Sequence, residues 1–126
     1  MKTNKDLLKE CKQVYRQLLL AKWGNKCLRC SKLSHLQISH IYPVGKYRKL
    51  ELDPDNALPL CDACHLWFFH KNPLDAADWI KQTVPKKQLD RLELRKGQSG
   101  KGSKDYKLWL VYLKNELATL LSNKVA

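Results

Sequence analysis

Apolar residues return every three to four positions near both ends of the chain, which is the pattern of helices with one buried face. The first helix is expected from Asn4, a suitable N-cap, to Trp23, with Gly24 as its stop. Its apolar face comprises Leu7, Leu8, Cys11, Val14, Tyr15, Leu18 and Leu19. A last helix is expected from residue 105 to about residue 123. Its apolar side comprises Tyr106, Trp109, Leu110, Leu113, Leu117, Leu120 and Leu121.

The spacing changes in the middle of the chain, where short runs replace the helical period. Residues 36–42 form an apolar, β-branched run that predicts a strand. A second short strand is expected at residues 50–52, just before the turn signal Asp-Pro-Asp-Asn at residues 53–56. A helix is then expected to start near Cys61 and to run to about Lys71.

The second half of the chain predicts further helices and one flexible segment. Asn72 is the expected N-cap of a helix that starts at Pro73 and reaches about residue 83. Another helix is expected over residues 86–95, and GQSGKGSK at 97–104 is typical of a flexible, basic linker. The 126 residues therefore predict a single α+β, mostly helical domain, with an N-terminal helix (1–24), a central core (25–73) and a helical extension (74–126).

Charge gives the first indication of a partner. Lysine and arginine number 24 against 12 aspartate and glutamate residues, and the net charge of +12 is spread along the whole chain. A folded domain this basic attracts polyanions, and nucleic acid is the leading candidate. The alternative from charge alone is a basic protein without a specific partner.

The cellular compartment decides how the five cysteines are interpreted. No apolar run approaches the roughly 20 residues of a membrane span, and the N-terminus has no secretion-signal pattern. A cytoplasmic location is therefore expected, where thiols are more often metal ligands than disulfides. Cys11 has no CxxC partner and falls on the apolar face of the first helix, so a core role is expected for it.

The other four cysteines form two CxxC pairs, Cys27 with Cys30 and Cys61 with Cys64. Two intervening residues let both sulfurs of a pair reach one tetrahedral ion, so the two pairs predict a closed, structural Zn²⁺ site. Chance cysteines or a redox-active pair are the alternatives. Because four thiolates leave no open coordination position, any chemistry on a substrate would need other residues.

Three polar residues follow a fixed order around this zinc pattern: His40 on the first strand, Asn56 after the turn, and His65 directly after the last cysteine. Together with the two CxxC pairs, the stretch LQISHIYPVGKYRKLELDPDNALPLCDACHLWFFHKNP resembles the HNH endonuclease family, and in particular its small phage-type members. The resemblance covers about Cys27 to Pro73. It implies a zinc-stapled ββα-metal centre, in which two strands and a helix hold a catalytic divalent cation such as Mg²⁺ or Mn²⁺.

The resemblance also implies roles for individual residues. His40 would be the general base that deprotonates a water for attack on a DNA phosphodiester, and Asn56 would orient the histidine-bearing loop or contribute to the metal site. His65 would bind the cation. His70 is a second, tentative ligand, because five residues correspond to about 140° around an α-helix. Ser39 stands where many family members carry an Asp or His ligand. The cation would then rely on other groups: His65, His70, Asp53 or waters.

Basic residues near this centre would contact the DNA backbone. Lys46, Arg48 and Lys49 lie on the loop between His40 and Asn56, close to where the scissile phosphate would bind. A second basic zone in the extension would widen a non-specific, salt-sensitive footprint. It comprises Lys86, Lys87, Arg91, Arg95, Lys96, Lys101 and Lys104. Three aromatic residues are expected mainly to pack against the added helices: Trp67, Phe68 and Phe69.

Three functions remain open from the sequence. The leading one is a metal-dependent endonuclease that nicks or cuts duplex DNA. The second is a non-catalytic, zinc-stabilised module that binds DNA or recruits a partner. The third is a branch-specific nuclease for recombination intermediates, which would need a dimer to cut two strands. The protein is accordingly expected to act as a monomer or a homodimer.

Overall fold

Helices make up most of the protein, and the remainder includes a small antiparallel sheet. The computed structural model describes residues 1–97 and 105–125, so most of the expected flexible linker, residues 98–104, lies outside the described residues. The helices are α1 (Asn4–Trp23), α2 (Pro73–Thr83), α3 (Lys86–Lys96) and α4 (Tyr106–Val125); the strands are β1 (Leu36–His40) and β2 (Ala57–Cys61); and a π-helix (Cys64–His70) lies between β2 and α2. None of the described helices is both long and apolar enough to cross a membrane.

The ends of α1 are set by short-range interactions. Thr3 is its N-cap, because the Thr3 hydroxyl accepts a hydrogen bond from the Asp6 amide and the Asp6 carboxylate accepts one from the Thr3 amide, both at 3.1 Å. Asn4, the expected cap, is instead the first helical residue. Gly24 ends the helix with a φ of 85°, which glycine adopts without strain. The predicted first helix is thus confirmed, with its cap one residue earlier.

Two buried clusters stabilise the fold. The first forms where α1 packs against α4, and its buried members are Leu7, Cys11, Tyr15, Leu18, Leu19, Leu52, Ala57, Leu110 and Leu113. The second surrounds the cysteine pairs, and its buried members are Cys27, Leu58, Leu60, Cys61, Cys64, Ile80 and Val84. The core role expected for Cys11 is confirmed, since this residue is fully buried and its thiol donates to the Tyr106 carbonyl at 3.4 Å. Because β2 contributes to both clusters, it connects the two halves of the molecule.

The second strand is not where the sequence predicts it. Residues 50–52 do not pair with β1; Arg48–Leu50 forms a 3₁₀-helix, and β1 pairs instead with β2, in a register that sets Leu36 opposite Cys61 and His40 opposite Ala57. All five residues of β2 are buried, so the strand lacks the apolar–polar alternation of a half-buried strand. It also contains Pro59, which a two-stranded sheet tolerates because each strand is an edge strand.

The segment after β2 is helical, as expected, but its geometry differs from an α-helix. The strand continues through Cys61, and Cys64–His70 forms a π-helix, as in the bond from the Lys71 amide to the Leu66 carbonyl at 3.1 Å. Hydrogen bonds between residues five apart add one residue to each turn. Residues five apart therefore return to nearly the same face.

The aromatic residues of this π-helix have different environments. Phe68 packs edge-on against Trp79 with ring centroids 5.7 Å apart, and Phe69 packs on the second cluster, which confirms the expected packing for these two. Trp67 is 64% exposed, so the expectation is wrong for this residue.

Candidate functional site

The two CxxC pairs converge on one point. The four sulfur atoms of Cys27, Cys30, Cys61 and Cys64 all lie within 4.8 Å of one another, and the Cys30 and Cys61 sulfurs are 3.6 Å apart. Zinc–sulfur bonds of about 2.3 Å in a tetrahedron place neighbouring sulfurs about 3.8 Å apart. The cluster therefore has the donor type and the spacing to hold a metal ion such as zinc.

Backbone amides prepare these sulfurs for a cation. The Cys30 amide points at the Cys27 sulfur at 3.5 Å, and the Cys64 amide points at the Cys61 sulfur at 3.4 Å. Burial alone raises the pKa of the Cys27 thiol, but backbone hydrogen bonds from Cys30, Cys61 and Arg29 outweigh it and lower the pKa to about 6. The four thiols differ in this respect, because burial raises the pKa of the Cys64 thiol to about 12. Since the thiolate is the form that binds metals, Cys27 is a thiol whose own surroundings favour that form.

A chain of polar contacts links β1 to the π-helix. Ser39, which is fully buried on β1, places its hydroxyl oxygen 2.5 Å from Nδ1 of His65. On the other side of that ring, Nε2 of His65 lies 2.9 Å from Nε2 of His70, and the ring centroids are 4.4 Å apart. The α-helical spacing assumed when His70 is ranked below His65 is not found, because the π-helix places both imidazoles on one face. The ranking of the two as ligands stays a prediction.

The imidazole of His65 is in an environment that disfavours its protonated form. Partial burial lowers its pKa first, and the charges of His70 and His40 lower it further. A neutral imidazole has a lone pair available for a cation.

His40 closes β1 in a defined orientation. Its Nε2 lies 2.8 Å from the backbone carbonyl of Glu51, and its ring stacks on Tyr15 with centroids 5.9 Å apart. A carbonyl only accepts hydrogen bonds, so Nε2 carries the proton, and in the neutral ring Nδ1 is the nitrogen that can accept another. The contact with the Glu51 carbonyl could not be predicted from the sequence, because any residue at position 51 supplies a carbonyl. The stacking on Tyr15 could not be predicted either, because it depends on how α1 packs against β1.

Asn56 ties together the loop that follows His40. Its side chain is fully buried; Oδ1 accepts from the Tyr42 amide at 2.8 Å, and Nδ2 donates to the carbonyls of Tyr42 at 3.1 Å and Leu50 at 3.0 Å. Both the oxygen and the nitrogen of the side-chain amide are thus hydrogen bonded to backbone groups. This geometry matches the orienting role among the two roles considered for Asn56.

The basic residues of the loop and of α3 differ in their surroundings. Lys46, Arg48 and Lys49 are exposed on the loop between His40 and Asn56, as expected. In the second basic zone, by contrast, four of the five described residues form ion pairs: Lys86 with Asp90, Arg91 with Asp55, Arg95 with Asp53 and Asp55, and Lys96 with Glu93. Much of the positive charge of this zone is therefore paired with carboxylates of the protein itself. Lys101 and Lys104 lie outside the described residues.

Ion pairs also engage Asp53, which is one of the groups expected to help bind the catalytic cation. Both aspartates accept hydrogen bonds from Arg95, and the Asp53 side chain is only 8% exposed. Asp53 is therefore engaged in joining α3 to the turn rather than facing the imidazoles. Among residues 1–97 and 105–125, the four cysteines form the one group of three or more ionisable ligands close enough to share a metal ion.

Comparisons with protein-family models, with curated proteins and with solved structures find no match for this chain.

Proposed function

We propose that this protein is a metal-dependent endonuclease of the HNH type, which hydrolyses DNA phosphodiester bonds. The observation that carries the proposal is the close approach of two imidazoles, His65 and His70, whose Nε2 atoms are 2.9 Å apart. His65 also contacts Ser39 of β1, the strand whose last residue is His40. Both histidines lie on the π-helix, which follows β2 and includes Cys64 of the cysteine cluster. A purely structural role would not require the imidazoles of His65 and His70 to meet beside the buried Ser39 hydroxyl.

His40 serves as the general base in this mechanism. Its Nδ1 takes a proton from a water molecule, the water oxygen forms a bond to phosphorus, and the bond from phosphorus to the 3′ oxygen breaks. The leaving oxygen takes up a proton from solvent. The Glu51 carbonyl, which accepts the Nε2 proton of His40, also stabilises the positive charge that the ring gains. An imidazole accepts protons effectively near neutral pH, because its unperturbed pKa is about 6.5.

His65 and His70 would hold the divalent cation. When bound, such a cation supplies stabilisation of negative charge on the phosphate and the leaving oxygen. The two residues fit this role, because neutral imidazole nitrogens are common metal ligands and burial favours the neutral form of His65. The zinc-binding cluster has a different role, since four thiolates leave no position for a substrate.

Plasmid cleavage tests the proposal. Zinc-loaded protein is expected to nick supercoiled DNA with at least one of the cations Mn²⁺, Ni²⁺ and Mg²⁺. His40→Ala is expected to lose about 100-fold or more of the rate, as for removal of a general base. His35→Ala is the matched control, because His35 is an exposed histidine on the same segment. Equal nicking by wild type and His40→Ala would show a contaminating nuclease and remove the catalytic role.

A non-catalytic DNA-binding module is the second candidate. It is favoured by the fully buried Ser39, which occupies the β1 position next to His40 and offers only a hydroxyl. This candidate predicts DNA binding by wild type and by His40→Ala with equal affinity, and no nicking with any of the three cations.

A further inference from the structure

Ser39 is the polar residue of β1 whose side chain is completely buried, and its hydroxyl oxygen contacts Nδ1 of His65 at 2.5 Å. We propose that Ser39 is a positioning residue, which orients His65 so that the His65–His70 pair binds a late first-row transition cation in preference to Mg²⁺. The inference rests on the ligand pair of the proposed function. It adds to that function the residue that orients His65 and the class of cation that the two histidines bind.

The direction of the His65 ring follows from its two contacts. Nδ1 faces Ser39 and Nε2 faces His70, so Nε2 is the nitrogen available to a cation shared by the two histidines. When Nε2 gives its lone pair to a cation, the ring proton lies on Nδ1. The Ser39 hydroxyl oxygen can accept that proton in a hydrogen bond, because a hydroxyl both donates and accepts. Metal-bound histidines are commonly held in this way by a second hydrogen bond.

The spacing of the two imidazoles is suited to one shared ion. Nitrogen ligands about 2.1 Å from a cation are about 3.0 Å apart at right angles and about 3.4 Å apart in a tetrahedron. The observed separation of 2.9 Å between the two Nε2 atoms is close to the first value. The two nitrogens, which share a hydrogen bond here, are therefore close enough to share one cation when that bond gives way to coordination.

The donor atoms determine which cations the pair favours. Imidazole nitrogen suits Co²⁺, Ni²⁺, Cu²⁺ and Zn²⁺, whereas Mg²⁺ prefers oxygen ligands in octahedral geometry. In the described part of the chain, no carboxylate joins His65 and His70 to form a three-ligand group. A site made of two nitrogens and water therefore discriminates against Mg²⁺.

Calorimetric titration of zinc-loaded protein with Ni²⁺ tests the inference. Wild type is expected to bind one Ni²⁺ beyond its zinc, with no competition from millimolar Mg²⁺. Ser39→Ala should weaken this binding about 10- to 100-fold, as for the loss of a residue that orients a ligand. Ser39→Thr, which restores the hydroxyl, should recover most of the affinity, and His70→Ala should lose the site. Ser122→Ala, the same change at an exposed position of α4, is the matched control and should bind as wild type.

A second measurement needs no variant. With a second equivalent of Zn²⁺, the ¹⁵N signals of His65 should show a protonated Nδ1 and a coordinated Nε2. Coordination through Nδ1, unchanged Ni²⁺ affinity in Ser39→Ala, or displacement of Ni²⁺ by millimolar Mg²⁺ would each overturn the inference. The two proposals fail separately: His40→Ala should lose nicking and keep Ni²⁺ binding, and Ser39-dependent Ni²⁺ binding without nicking would refute only the nuclease.

Discussion

Single buried polar residues control the geometry of the candidate site. Asn56 provides the clearest case, because its three hydrogen bonds join Tyr42 and Leu50 across the loop that follows His40. A buried amide or carbonyl that loses its partner costs about 1–3 kcal/mol, since water cannot replace the lost contact. The loop conformation therefore depends on one side chain that does not itself take part in chemistry.

Replacing Asn56 with alanine should accordingly destabilise the protein. We expect the free energy of unfolding to fall by about 2–4 kcal/mol, because several buried backbone groups lose their partner together. Chemical denaturation at neutral pH measures the change. Asn115→Ala, at an exposed position of α4, should change the stability by no more than about 0.5 kcal/mol. Equal stability of the two variants would show that the loop does not depend on Asn56.

The sequence indicates which residues form the site, but not how they are held. Two CxxC pairs predict the cysteine cluster, because the spacing alone allows the sulfurs to meet. The strand that carries His40 also follows from its apolar neighbours, although β1 ends at His40 and not at residue 42 as expected. The contact of Ser39 with His65 could not be predicted, because it depends on the register of β1 against β2 and on the helix that follows.

At the level of secondary structure, the π-helix is the element that creates the imidazole pair. One extra residue in a helical turn moves His70 onto the face of His65, whereas regular α-helical spacing would separate them. Nothing in the residues 64–70 themselves signals this change. The missed β2 has a related cause, since uniform burial removes the alternation by which a strand is identified.

Deleting one residue from the π-helix should be tolerated. Without Trp67, which is exposed, His65 and His70 would be four residues apart in an ordinary α-helix and would still share one face. We expect this variant to retain its zinc and its Ni²⁺ binding. Deletion of the exposed Asp78 from α2 is the matched control, because it rotates Ile80 by about 100° away from the core. Loss of zinc and fold in both deletions would contradict this account of the pair.

The turn before β2 is joined to α3 by ion pairs that should respond to pH. Burial by itself raises the pKa of Asp55, but hydrogen bonds from Arg91 and Arg95 outweigh it, so the pKa in the folded protein lies below the ordinary aspartate value of 3.8. A carboxylate with a lowered pKa stabilises the fold above its unfolded-state pKa, and this contribution is lost as the pH falls below 3.8.

Asp55→Asn should therefore be less stable than wild type at pH 7, by about 1–3 kcal/mol for lost hydrogen bonds to a charged group. The difference should shrink below pH 4, where wild type also loses the charge; urea denaturation between pH 7 and pH 2.5 measures it. Asp90→Asn removes an exposed partner of Lys86 and should cost little at any pH. A difference between wild type and Asp55→Asn that is independent of pH would refute the ionic contribution.

Across the whole molecule, the place where DNA would bind depends on how unpaired positive charge is distributed more than on the net charge. The net charge of +12 predicts attraction to DNA but not where the DNA lies. Arg91 and Arg95 form ion pairs with aspartates, whereas the lysines and arginine of the loop that follows His40 are exposed. The loop between His40 and Asn56 is thus the better candidate for phosphate contacts.

Neutralising that loop should weaken DNA binding and its dependence on salt. In the His40→Ala background, which keeps the DNA intact, we expect Lys46→Gln, Arg48→Gln and Lys49→Gln together to lower the affinity for duplex DNA. The slope of log affinity against log salt concentration should become shallower by roughly 2 to 3, because each phosphate contact contributes about 0.9. Fluorescence anisotropy at several salt concentrations measures both quantities.

A second triple variant separates local contacts from total charge. Lys5→Gln, Lys9→Gln and Lys12→Gln remove the same number of charges from exposed positions of α1. Screened charges act weakly beyond a distance of about 10 Å at 0.1 M salt, so this variant should keep nearly the wild-type slope. If both triple variants lose the same affinity and slope, the DNA responds to net charge alone, and the loop beside His40 has no special part in holding the phosphate that His40 would act on.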